Sequence, residues 1–232
     1  MIFTWEMFWA ILLAAVCAYL LGSINFAIIV TKLFARKDIR DFGSGNAGLT
    51  NVLRTLGKGP AACVLVGDFM KGVLSVIIGK LLFEHLGGAV DGSEWFMLGG
   101  YIGAFFAVLG HIFPVFHGFK GGKGILITAG VMLVLNPWVL CIILGTFIIV
   151  VVISRYVSLA SISAAVMYPV ATFLVEFLSQ QKTGWIDTVL AAIIAALVIF
   201  MHRGNIKRLL SHTESKLGQK KKENVEHTSN PQ

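Results

Sequence analysis

Gly124-Ile-Leu-Ile-Thr-Ala-Gly-Val-Met-Leu-Val-Leu-Asn136-Pro137-Trp-Val-Leu-Cys-Ile-Ile-Leu-Gly-Thr-Phe-Ile-Ile-Val-Val-Val-Ile153 runs for 30 residues without a charge. At 1.5 Å per residue, one helix of that length would extend about 45 Å, against a bilayer core of about 30 Å. Asn136-Pro137 divides the run, because proline disfavours helix in the residue before it and opens a helix well. The stretch predicts two short helices, 124–135 and 137–153. Either half is short for a crossing, so tilt or a re-entrant path is admissible there.

Working outward, further apolar runs predict spans at 7–31, 60–83, 95–113, 156–179 and 185–201. Of the 232 residues, 56% are hydrophobic and only 13% charged, where soluble domains carry about 25%. The chain reads as an all-α, polytopic integral membrane protein of about seven transmembrane helices. Residues 1–210 are expected to form one helical domain. Residues 211–232 read as a polar, lysine-rich cytoplasmic tail without fixed structure. Glu6 among aromatics, with no basic region before it, reads as the start of a retained helix and not a signal peptide.

Loop charge selects the span count. With seven spans, Arg36, Lys37, Arg40, Arg54 and Lys58, then Lys120 and Lys123, then Arg155, then the tail share one side. Glu6, then Glu84, Asp91 and Glu94, then Asn136-Pro137, then Lys182 share the other. Six spans would put Lys220, Lys221 and Lys222 outside, against the positive-inside rule. The expected orientation is N-terminus outside and C-terminus cytoplasmic. The same rule accounts for the net charge of +7 without nucleic-acid binding. Cys17, Cys63 and Cys141 lack metal-ligand spacing and are expected as buried packing residues, and the scattered histidines argue against a metal site.

Four polar segments fall on the basic side. The first, Asp41-Phe-Gly-Ser-Gly-Asn-Ala-Gly-Leu-Thr-Asn-Val-Leu-Arg54, offers Gly43, Gly45 and Gly48 for close backbone approach and Ser44, Asn46, Thr50 and Asn51 as short hydrogen-bonders. A short helix over 47–56 would bring Arg54 within a turn or two of that loop. The second, Gly110-His-Ile-Phe-Pro-Val-Phe-His-Gly-Phe-Lys-Gly-Gly-Lys-Gly124, sets Lys123 beside a helix N-terminus. A cation there opposes the helix dipole unless an anion binds. Gly124 stands where a Walker A loop needs Ser or Thr, so nucleotide hydrolysis is disfavoured. The third, Ser154-Arg-Tyr-Val-Ser-Leu-Ala-Ser161, carries Arg155 and Ser158, and the fourth, His202-Arg-Gly-Asn-Ile-Lys-Arg208, follows the last span and taken alone reads as a basic stop-transfer flank. Asp68 and Lys71, three residues apart within a span, read as a buried pair or a buttress for these loops. Fixed cations, glycine loops, hydroxyls and a histidine suit a phosphate-bearing substrate.

These segments, with Tyr19-Leu-Leu-Gly-Ser-Ile24, closely resemble the acyl-phosphate:glycerol-3-phosphate acyltransferases of bacterial membranes over about residues 10–210. Asn25 stands where that family often has proline or threonine, a change expected to touch packing. The resemblance implies an enzyme of phospholipid biosynthesis in the bacterial inner membrane, multi-pass and with its active site facing the cytoplasm. Acyl phosphate and sn-glycerol 3-phosphate would give 1-acyl-glycerol 3-phosphate and phosphate. It further implies no cofactor, a monomer, and a functional link to an enzyme that forms acyl phosphate. No histidine is followed five residues later by Asp, unlike acyltransferases that use H-x-x-x-x-D. By the resemblance, Lys123 and residues 43–46 would take the acyl phosphate, with Ser44 near its carbonyl. Arg54, Ser158, His202 and Asn205 would hold glycerol 3-phosphate. Asp68, Lys71, Lys120 and Arg155 would support the site, and His202 is the protein-side alternative to a substrate phosphate as proton acceptor. The competing expectation is a phosphate-ester transporter, which would carry its polar residues near midplane.

Overall fold

The computed structural model describes residues 4–87, 94–179 and 184–218, and among them the regular structure is helical throughout. Asp91, Lys182, the Glu94 side chain and the chain from residue 219 onward, which includes Lys220 to Lys222, lie outside the described residues. Among the described residues ten α-helices are laid down in order: α1 (Trp5–Ser23), α2 (Phe26–Ala35), α3 (Leu49–Leu56), α4 (Lys58–His85), α5 (Glu94–Ile112), α6 (Ile125–Leu135), α7 (Pro137–Ser154), α8 (Val157–Leu178), α9 (Gly184–Met201) and α10 (Arg203–Leu210).

The long uncharged run breaks at Asn136-Pro137, as its local chemistry requires. Asn136 Oδ1 accepts from Val139 N at 3.3 Å, and Pro137 occupies the first turn of α7, where no amide hydrogen is needed. Asn136 Nδ2 also donates to Glu176 Oε1 of α8 at 3.0 Å, which ties the corner to its neighbour. The stretch expected as a span over 7–31 falls within one candidate span, Trp5–Ala35, but its helix is interrupted. α1 ends at Ser23, and Asn25 starts α2 by accepting from Ile28 N at 3.1 Å. Asparagine is a strong N-cap, so its place in the run marks a helix start that apolarity alone hides. Its Nδ2 reaches Ala47 O at 3.4 Å and links this break to the first polar loop.

Among the described residues five stretches are long and apolar enough to cross a membrane: Trp5–Ala35, Lys58–His85, Phe96–His117, Pro137–Ser154 and Val157–Leu178. A sixth arises if α9 and α10, bent by 57° at His202, are taken together, while α6 is a shorter apolar helix. Small residues set the helix contacts. A Cβ on Gly79 of α4 would lie 2.1 Å from Gly99 O of α5, so their backbones touch, as membrane helix pairs commonly do. Outer faces are apolar, with Val152 71% and Ile153 79% exposed on α7. The three cysteines are free and exposed on this outer surface, which corrects the expected burial. An apolar neighbourhood marks a lipid-facing position as readily as a core one.

Candidate active site

All four polar segments meet at the basic end of the bundle, and each is placed by a different device. In the first loop, Asn51, in the first turn of α3, works as a backbone organiser. Its Nδ2 donates to Ile39 O, Phe42 O and Asn46 O at 3.1, 2.9 and 3.1 Å, and its Oδ1 accepts from Ser44 N at 3.1 Å. Gly43 has φ +59°, and a Cβ there would lie 2.1 Å from Asn51 Oδ1, so only glycine fits the turn. Arg40 joins this loop to the second: it pairs with Asp38 at 2.8 Å and donates to His117 O at 2.8 Å and Lys120 O at 3.3 Å.

The second loop folds back onto the end of α5, with Gly121 N and Gly122 N donating to Ile112 O and His111 O, each at 3.1 Å. A Cβ on Gly122 would lie 2.1 Å from His111 Nε2 and 2.9 Å from Ala47 O, so glycine allows both loops to meet on the His111 ring. Beneath them, Asp68 and Lys71 pair at 2.8 Å and are nearly unexposed. Lys71 Nζ donates to Gly22 O at 2.9 Å and Ile24 O at 2.7 Å, which satisfies carbonyls freed where α1 stops. Asp68 Oδ1 lies 3.7 Å from His111 Nδ1. The pair ties α4 to the end of α1, and the Asp68 carboxylate faces the His111 ring of α5 without a hydrogen bond to it.

Gly43, Ser44, Asn46, Arg54, Lys123, Ser158, His202 and Asn205 line one cavity of about 2000 Å³. The same cavity is lined deeper in the bundle by Leu140, Ile143, Phe147, Ala164 and Ala165. Lys123 Nζ donates to Asn205 Oδ1. Burial first, then the charge of Arg208, lower the Lys123 pKa to about 8, with Arg54 adding to this and Glu214 opposing it. Arg54 lies across the mouth and donates to Ser215 O at 3.2 Å. His202 sits at the bend after α9, and its Nδ1 is 2.7 Å from Val198 O. A carbonyl only accepts, so Nδ1 carries the hydrogen and Nε2 keeps its lone pair.

The remaining supporting residues contribute differently. Lys120 is exposed and enters only through its carbonyl, and Arg155 caps α7 with φ +62° outside the cavity lining. Gly45 adopts φ +71° and shapes the loop without lining the cavity.

Residues 12–212 match the family model described as glycerol-3-phosphate acyltransferase. The chain belongs to this family. Curated glycerol-3-phosphate acyltransferases from Clostridioides difficile and Thermoanaerobacter pseudethanolicus are each 44% identical to it, over 210 and 211 residues. Both alignments cover 90% of this chain, with 97% and 96% of those proteins. Two crystal structures of PlsY (YgiH), an integral membrane glycerol 3-phosphate acyltransferase, are similar at 36% identity over 90% of this chain. The glycerol 3-phosphate form gives a TM-score of 0.74 with 96% of that chain covered, and the lysophosphatidic acid form 0.72 with 95%. The acyltransferase scaffold here is thus an all-helical integral membrane fold.

Among the cavity residues not assigned to the site from sequence are one cation and one carboxylate, Arg208 on α10 and Glu214 beyond it. α10 read only as a basic flank, and Glu214 belongs to a segment whose composition signals a solvated tail. The available signal was a lone carboxylate at Thr213-Glu214 within a cationic stretch.

Proposed function

We propose that this chain transfers an acyl group from acyl phosphate to the 1-hydroxyl of sn-glycerol 3-phosphate, giving lysophosphatidic acid and inorganic phosphate. The observation that carries the reading is one cavity holding Lys123, Arg54 and Asn205 at its polar end and Leu140, Ile143 and Phe147 in its apolar part. A donor with a phosphate head and an acyl tail matches that division, and glycerol 3-phosphate supplies the second anion for the same cations.

The anhydride is already activated, so correct placement of the hydroxyl suffices without a covalent enzyme intermediate. The hydroxyl oxygen attacks the acyl carbon, the bond from that carbon to the phosphate oxygen breaks, and phosphate departs. Lys123, Gly43, Ser44 and Asn46 stabilise the leaving group, with Gly45 shaping their loop, and Ser44 lies near the carbonyl as a hydrogen-bonder. Arg54, Ser158, His202 and Asn205 hold glycerol 3-phosphate, while Asp68, Lys71, Lys120 and Arg155 support the loops. The hydroxyl proton passes to a substrate phosphate. His202 Nε2 is the protein-side acceptor the geometry favours if the phosphate does not serve.

In this reading seven helices cross the bacterial inner membrane, with α6 as the shortest, the N-terminus outside and the basic end in the cytoplasm. An enzyme that makes acyl phosphate feeds it, and it acts as a monomer. The decisive comparison is of donors. Purified chain in detergent, given glycerol 3-phosphate, should form lysophosphatidic acid from palmitoyl phosphate and none from palmitoyl-CoA or palmitoylated carrier protein. Product from a thioester donor, with none from palmitoyl phosphate, contradicts the reading.

A further inference from the structure

Residues 213–217 do not leave the bundle after α10 but pass back across the mouth of the cavity. Glu214 is 8% exposed, and both of its carboxylate oxygens are engaged. Oε1 accepts from Ser158 Oγ and from Asn205 Nδ2, each at 2.8 Å, and Oε2 accepts from Arg208 Nε at 2.6 Å. One carboxylate therefore joins the start of α8 to α10. Its neighbours anchor the strap on either flank: Ser215 O takes Arg54, and Leu217 exchanges hydrogen bonds with Arg155, N to O at 2.7 Å and Arg155 Nη2 to Leu217 O at 3.1 Å. Asp68 and Glu214 are the carboxylates among the described residues lining the cavity.

A buried carboxylate in a site built for anions needs an account, because it weakens the field the substrate phosphate would meet. The hydrogen-bond directions supply one. Ser158 gives its single proton to Glu214, so its lone pairs are what remain for a ligand hydroxyl. Asn205 donates one N–H to Glu214 and accepts from Lys123 Nζ through Oδ1, which fixes the flip of the amide and leaves its second N–H for a ligand. Arg208 is neutralised, and among the described residues Lys123 and Arg54 are the cavity cations without a carboxylate partner.

We infer that Glu214 is a positioning residue for the glycerol 3-phosphate end of the site. It sets which atoms of Ser158 and Asn205 face the substrate and holds α8 and α10 at the spacing that substrate requires. The inference rests on the proposed acyl transfer for the identity of the ligand. It differs from a merely structural role, because its loss should fall on one substrate and spare the other.

The test uses purified wild-type, E214A, E214Q and E214D chains in detergent, with glycerol 3-phosphate affinity read by calorimetry and phosphate release read with palmitoyl phosphate. E214A should weaken glycerol 3-phosphate binding by about tenfold to a hundredfold, the effect of losing hydrogen bonds to a charged group. Its KM for palmitoyl phosphate should stay within about twofold, well under the tenfold that one such bond is worth. E214Q and E214D should recover part of the affinity, and all four chains should melt at similar temperatures. Equal loss toward both substrates with a lowered melting temperature would reduce Glu214 to a structural tie. Tighter glycerol 3-phosphate binding by E214A would make Glu214 a competitor for the phosphate cations, and unchanged binding would give it no role. A wild-type chain that binds glycerol 3-phosphate but releases no phosphate would instead count against the reaction and leave the binding comparison standing.

Discussion

Lys123 is the residue on which most of the proposed chemistry converges. It closes the second loop just before α6, contacts Asn205, and is buried enough that its pKa falls to about 8. The sign of the consequence is fixed. The ammonium is present below that value and is lost as pH rises through it. Wild-type kcat/KM for palmitoyl phosphate should therefore decline above pH 8. The corresponding limb in kcat should lie higher, since a bound phosphate favours the charged lysine. Lys123→Arg should push the limb upward at a reduced plateau, and Lys123→Ala should lower kcat by about 100-fold or more, as loss of one transition-state donor does. A pH-independent profile in the wild type would remove Lys123 from the anion site. This residue was legible in the sequence because a lysine at a helix N-terminus opposes the dipole. Glu214 was not, because its role depends on a chain reversal after α10 that composition does not signal.

At the scale of elements, local chemistry was readable and long-range geometry was not. Proline physics is confined to neighbouring residues, so the break at Asn136-Pro137 was visible in one dimension. The break at Ile24-Asn25 is equally local, but the surrounding run is apolar and masks the cap. The 57° turn between α9 and α10 left no comparable mark, although it brings Asn205 into the cavity. The buttress within α4 gives a test at this scale. Lys71→Met alone leaves the Asp68 carboxylate buried without its ion pair, a defect of about 3–5 kcal/mol. Asp68→Asn/Lys71→Met removes both charges and should melt, in detergent, above the single variant. A double variant less stable than Lys71→Met would show that the carboxylate, and not the pairing, supports the loops.

For the whole molecule, the sequence implied a shared face for the four polar segments, and the structure joins them around one cavity. Charge asymmetry carried that expectation, since basic loops gather at one end. It could not show that the cavity continues into apolar surface between the helices, because that depends on packing among α6, α7, α8 and α9. The orientation proposed from the same asymmetry has its own check. A fluorescent reporter fused after residue 232 should fold and fluoresce in the cytoplasm, while a periplasm-dependent phosphatase fused before residue 1 should be active. Inactive phosphatase with a fluorescent C-terminus would put both ends on one side and require an even number of spans.

The central claim is direct acyl transfer between two phosphate-bearing substrates in a single cavity, and stoichiometry tests it most directly. Purified chain, palmitoyl phosphate and glycerol 3-phosphate, with no CoA or carrier protein present, should yield phosphate and 1-palmitoyl-glycerol 3-phosphate in equal amounts, and neither should form at an appreciable rate when one substrate is omitted. Phosphate release without glycerol 3-phosphate, accompanied by a palmitoylated protein, would contradict direct transfer. Absence of both products from a folded chain would contradict the assignment of the cavity.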